Sequence, residues 1–171
     1  MPNKKMVFCR ARTALPFLVL IVAALLLIPT TASAWSGQVV HVTDGDTITA
    51  IKDGQRVRID LYGIDTPESD QPFGSRAERF TVETIGNNRV EVMHKDKDRY
   101  GRTVGLVYIE GDGECLNGEL VRAGFAWVYD RYCRIRDCNT WKDLESQARK
   151  SEIGLWQQAC PIPPWKWRHS K

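Results

Sequence analysis

From Gly37 to Leu61, apolar and polar residues alternate in three short runs separated by Asp-Gly turns, and this stretch limits the fold more than any other. Gly37 to Val42 is alternating and β-branched, Asp44-Gly45-Asp46 marks a turn, and Thr47 to Ile51 forms a second run. Asp53-Gly54 turns the chain again, and Arg56 to Leu61 reads Arg, Val, Arg, Ile, Asp, Leu. An Asp-Gly pair adopts the backbone angles of a tight hairpin, and a period of two turns one face of each strand toward a core. The three runs therefore predict a meander. Gly74 to Ile85 spaces Ala77, Phe80, Val82 and Ile85 as a helix does and stops at Gly86. Arg89 to His94 and Thr103 to Ile109 read as two more strands around a charged hairpin, Lys95 to Arg102. A helix follows from Cys115 to Ala123, with Leu116, Leu120 and Val121 on one face, and another from about Thr140 to Ile153, ended by Gly154.

Five strands, with one helix inserted after the third and others at the end, fit a small closed Greek-key barrel. The expected class is α+β, predominantly β, with about three helices. A mixed ferredoxin-like sheet is the alternative, and the opening meander argues against it. A chain of 171 residues suits one ordinary domain with tails. The tail from Pro161 to Lys171, rich in Pro and Trp, is expected to be extended, either lying on the body or free.

Charge is informative only by region. Lys4, Lys5, Arg10 and Arg12 precede an apolar run from Ala14 to Ile28, and the small residues Thr30 to Ala34 follow it. A basic start, a short apolar segment and an Ala-x-Ala end make a secretory signal peptide, with cleavage expected after Ala34. The run of about 15 residues is short of the roughly 20 that a membrane-spanning helix needs. Removing residues 1–34 takes away four basic residues and no acidic one, so the net charge of +3 becomes 20 basic against 21 acidic residues. Up to Val121 the mature chain has ten basic and sixteen acidic residues, and beyond it ten and five. An acidic cluster beside a basic surface suits a metal ion next to a polyanion.

Cys115, Cys133, Cys138 and Cys160 remain after cleavage, and an even number in an exported chain predicts disulfides with three pairings open. Pairing Cys133 with Cys138 would close a small loop and leave Cys115 with Cys160. A zinc site is the weaker reading, because no CxxC occurs and His41, His94 and His169 are scattered.

The densest chemical signal is Asp44-Gly45-Asp46-Thr47, then Gly63-Ile64-Asp65-Thr66-Pro67-Glu68, then Asp98-Arg99-Tyr100-Gly101-Arg102. Alone, each is a turn or a loop. Together and in this order they resemble the staphylococcal nuclease (thermonuclease) family, and the likeness runs from Trp35 to about Trp156. Asn117 to Gly124 resembles that family's central helix, and Ala148 to Trp156 its closing helix and terminal Trp. The resemblance implies an OB-fold barrel over residues 35–156, a Pro/Trp-rich tail over 157–171, and calcium-dependent hydrolysis of phosphodiester bonds in DNA, RNA or both.

A hard cation takes several oxygen ligands, and two carboxylates with a carbonyl leave room for water and a phosphate oxygen. By the resemblance, Asp46, Asp65 and the Thr66 carbonyl hold Ca2+, Glu68 is the general base or orients the water, and Arg102 holds the phosphate. Tyr100 matches a nucleotide-contacting tyrosine, and Tyr129 or Tyr132 would supply a further ring. One position departs from the pattern: Asp60 stands where the family usually has an arginine. Arg58 and Arg56 share a strand face with Asp60, so Arg58 is the candidate to reach the phosphate instead. A carboxylate at this position predicts reduced activity.

The expectation is thus a secreted or periplasmic nuclease that acts as a monomer on nucleic acid and leaves the membrane after cleavage of its leader. The rival from another class is a non-catalytic OB-fold module binding nucleic acid or protein, which would not need the acidic pair or Glu68.

Overall fold

A computed structural model describes residues 34–170; of the expected signal peptide, residues 1–33 lie outside the described residues. The three-run meander forms as β1 (Ala34–Val42), β2 (Thr47–Lys52) and β3 (Gln55–Leu61). After the two-residue β4 (Ile64–Asp65) come helix α1 (Gly74–Ile85), β5 (Arg89–Lys97) and β6 (Thr103–Ile109). Helix α2 (Leu116–Arg122), the short β7 (Trp127–Val128), helix α3 (Asp137–Lys150), a 3-10 turn (Gly154–Gln157) and the one-turn helix α4 (Pro164–Trp167) complete the chain.

Five strands close a barrel in the order β1-β2-β3-β6-β5. Neighbours are antiparallel except for β3 with β6, which run parallel and pair Ile59 with Thr103 and Asp60 with Val104. The period of two decides what is inside: Ile48 and Ala50 of β2, Ile59 and Leu61 of β3, and Val90 and Val92 of β5 are buried. Leu116, Leu120 and Val121, the face predicted for α2, belong to the same core. Asn117 on that helix is fully buried and partnered. It donates to the Tyr62 carbonyl at 2.9 Å and accepts from the Val107 amide at 3.1 Å, fastening α2 to β6 and to the turn after β3.

The fold class is as the sequence predicts, with four α-helices among the described residues where about three were expected. Several boundaries move. β1 starts three residues before Gly37, because Ala34 to Gly37 pair with β5. Cys115 is not in α2 but bridges to Tyr108, and α3 starts at Asp137, nearer the disulfide, and ends at Lys150. Cys133 and Cys138 are joined. The expected partner bond between Cys115 and Cys160 is absent: Cys115 is half-buried against Tyr108 and Asn117, whereas Cys160 sits exposed beyond the 3-10 turn. The tail lies on the body, one of the two expected placements, but it is extended only up to Pro163: Pro164 is buried and starts a helical turn. Proline suits that position because its fixed φ matches a helix and its missing N–H would have no partner there.

Candidate active site

The Asp44-Gly45-Asp46 turn leads into β2 at one end of the barrel. Thr47, the residue after Asp46, pairs with Asp60 in β3, and the Leu61 amide donates to the Asp46 carbonyl at 2.8 Å. Helix α1 holds this turn from behind: the buried Thr81 hydroxyl donates to the Gly45 carbonyl at 2.6 Å. Asp65 follows β3 by four residues and is fixed differently, as one rung of the β4–β7 ribbon opposite Trp127. Gly63, just before it, has a φ of 73° and lies close to Cys133. A side chain there would meet both the left-handed penalty and the disulfide.

These two routes bring the acidic residues together. The Thr66 amide donates to Asp46 Oδ2 at 2.7 Å, so the Asp46 carboxylate is tied to the residue next to Asp65. Burial, with the carboxylates of Asp44 and Asp65 nearby, holds the Asp46 carboxyl well above the ordinary aspartate range. Burial also pushes Asp65 up to about 6, against the pull of the Arg168 guanidinium. Glu68 lies in the loop before α1, where Gln71 shapes the backbone: the Glu68 amide donates to Gln71 Oε1 at 3.2 Å and the Gln71 amide to the Glu68 carbonyl at 2.9 Å. Gly74 closes the loop, because a Cβ there would stand 1.9 Å from the Glu68 carbonyl oxygen.

Asp46, Asp65 and the Thr66 carbonyl offer oxygen donors only, the set a hard cation such as calcium takes. Carboxylates that raise one another's proton affinity are relieved by a cation bound to both. One cation, the Arg168 guanidinium, already rests on Asp65. The residues therefore fit the ion.

Beside this cluster lies a basic one. Arg102 donates through Nε to Asp98 Oδ2 at 2.6 Å, and its Nη2 stands 3.1 Å from Asp60 Oδ2. Asp98 also accepts from the Tyr100 and Arg102 amides, so one carboxylate shapes the whole Asp98-to-Arg102 turn. Arg58 Nε is 3.7 Å from Asp60 Oδ1, and Asp60 thus sits between the two arginines. Arg56, Arg58, Tyr100 and Arg102 line a shallow open cleft of about 280 Å³. Tyr100 is 70% exposed, with Arg99 and Arg102 both against its ring.

Tyr129 and Tyr132 meet edge to face, ring centres 4.8 Å apart. Tyr132 is exposed, but one face of Tyr129 is covered by Trp165 of the tail, stacked at 4.6 Å and 10°. The exposed His41 takes no part in either cluster. Sequence reasoning gave Asp44 only a turn role, overlooked Gln71, and saw in Arg168 a candidate partner of nucleic acid and not of Asp65. The one signal for Arg168 was the Trp165-Lys166-Trp167-Arg168 alternation of rings and cations.

A family model described as staphylococcal nuclease homologue matches residues 58–158. The chain is 37% identical over 169 residues to a micrococcal nuclease of Shigella flexneri, covering 93% of this chain and 96% of that protein. It is 42% identical over 138 residues to an uncharacterized endonuclease of Escherichia coli O157:H7, 79% of this chain and 86% of that one. Over 117 residues it is 34% identical to the staphylococcal-like nuclease CAN1 of Arabidopsis thaliana, 68% of this chain and 35% of the longer plant protein.

Proposed function

Since the chain belongs to the staphylococcal nuclease family, we propose that it is an exported, calcium-dependent nuclease that hydrolyses phosphodiester bonds in DNA, RNA or both. The observation that carries the reading is the joining of Asp46, Thr66 and Asp65 into one oxygen cluster beside an arginine-lined cleft. In this reading Asp46, Asp65 and the Thr66 carbonyl hold the calcium ion, which when bound would polarise the phosphate and offset the charge that builds on it. Glu68, half-buried and fixed by the Gln71 loop, takes a proton from the attacking water at a carboxylate oxygen. Arg102 holds the non-bridging phosphate oxygens with its fork of donors while the ester bond to phosphorus breaks. Arg58 and the rings of Tyr100 and Tyr132 line the approach of the chain being cut.

Export fits the Cys133–Cys138 disulfide, which forms in oxidising compartments such as the periplasm or the medium. Among the described residues no helix is long and apolar enough to cross a membrane.

One observation favours the rival reading of binding without cleavage: Asp60 and Asp98 both engage Arg102, the group meant for phosphate. Digestion of DNA and RNA by the purified protein, in millimolar calcium and in chelator, separates the two. Cutting in calcium alone, lost in Glu68→Gln, is expected. Intact nucleic acid in calcium, with chelator-insensitive binding that Asp46→Ala leaves unchanged, would establish a binding module instead.

A further inference from the structure

We propose that the C-terminal segment is a built-in competitor for the cation, with Arg168 the group that calcium must displace. The inference rests on the reading of Asp65 as a calcium ligand. Arg168 pairs with Asp65 through both forks, Nη1 to Oδ1 at 3.1 Å and Nη2 to Oδ2 at 2.8 Å, and Nη1 also reaches Glu68 Oε1 at 2.5 Å. One guanidinium thereby takes both oxygens of the metal-ligand carboxylate and one of the proposed base. Side-by-side pairing of this kind is among the strongest a carboxylate makes, and lone pairs given to Arg168 are withdrawn from a metal ion.

The segment is not there by chance of one contact. Upstream, the buried Gln71 side chain, which shapes the Glu68 loop, donates to the Ile162 carbonyl at 2.5 Å. Trp165 stacks flat on Tyr129 and meets Trp127, the residue paired with Asp65, edge to face with ring centres 6.5 Å apart. The Trp167 indole N–H donates to Asp70 at 3.2 Å. Thus the segment covers at once the carboxylates of Asp65 and Glu68 and one ring face of Tyr129. Because its anchors at Gln71, Asp70 and Tyr129 do not depend on Asp65 or Glu68, Arg168 can release them while the segment stays docked.

Calcium titration of the purified protein by calorimetry, alongside Arg168→Ala and Lys166→Ala, tests this. Loss of a charge-assisted competitor is expected to tighten calcium binding by about 10-fold or more in Arg168→Ala. Cleavage should then saturate at correspondingly lower calcium. Lys166→Ala, which removes the same charge from the same turn, should bind calcium as the unmodified protein does; an equal gain there would overturn the proposal in favour of a general charge effect. Unchanged calcium affinity in Arg168→Ala would also overturn it and leave the nuclease reading intact. So would a lower rate at saturating calcium with unaltered affinity, which would make Arg168 a phosphate-holding residue. Failure of both proteins to bind calcium would sink the functional reading and the inference together.

Discussion

Asp60 stands at the arginines proposed to receive the phosphate. Its carboxylate is 3.1 Å from Arg102 Nη2 and 3.7 Å from Arg58 Nε, so in the proposed reading it competes with a phosphate for both. Both pairs are partly exposed, and ion pairs of that kind are worth about 0–1 kcal/mol each. Asp60→Asn should therefore raise kcat/KM by up to about fivefold, measured with a short labelled DNA at saturating calcium. Unchanged kinetics would mean that Asp98, not Asp60, sets the position of Arg102. The two free cysteines among the described residues differ in a way their sequence positions do not reveal. Burial pushes the Cys115 thiol up, so less of it is thiolate at neutral pH, while Cys160 is exposed. Iodoacetamide at pH 7.5, followed by mass spectrometry, is expected to label Cys160 well before Cys115, with the gap narrowing as pH rises.

Among the elements, helix α1 does more for the site than its surface position suggests. It presents Thr81 to the Gly45 carbonyl, and its first residue, Gly74, packs on the Glu68 loop. Thr81→Val keeps the shape and strands a buried carbonyl, which should cost about 1–3 kcal/mol in urea unfolding. Thr81→Ser should recover most of it. Helix α1 is also where sequence was most legible: Gly74–Ile85 and the stop at Gly86 appear as spaced, because an amphipathic helix with a glycine end carries its own punctuation. Strands β2, β3 and β6 were legible for the same local reason. What was not legible depended on partners distant in sequence. The extra residues of β1 exist because β5 pairs with them, and β4 and β7 are two residues each, too short for any periodicity. In the site, Asp46, Asp65, Thr66 and Glu68 came from motif order and are brought close together. Arg168 was visible only as part of the ring-and-cation alternation from Trp165 to Arg168, which does not show that its guanidinium meets Asp65, 103 residues away in sequence.

At the scale of the whole molecule, one disulfide is all that crosslinks the described residues, and it spans only five positions. A loop so short constrains the unfolded chain modestly, by about 2 kcal/mol. Reduction with dithiothreitol should lower the stability to urea by about that amount and leave cleavage largely intact. Loss of all activity on reduction would instead show that the Cys133–Gly63 contact holds Asp65 in place. Beyond residue 34 the chain is close to neutral, and its carboxylates and arginines gather in adjoining clusters, with Arg168 of the basic last part lying on the acidic one.

The parallel pairing of β3 with β6 has a consequence for the order of folding. β1, β2 and β3 can zip up as consecutive hairpins, and β5 with β6 as another, before any distant contact forms. Asp46 immediately precedes β2 in the first piece and Arg102 immediately precedes β6 in the second, while Asp65 takes its place only when β4 pairs with β7. Contacts far apart in sequence form late, because their loops must close first. A newly made chain with both pieces folded and the barrel still open thus keeps Asp46 apart from Arg102, the proposed phosphate-holding arginine, and brings them together only at closure.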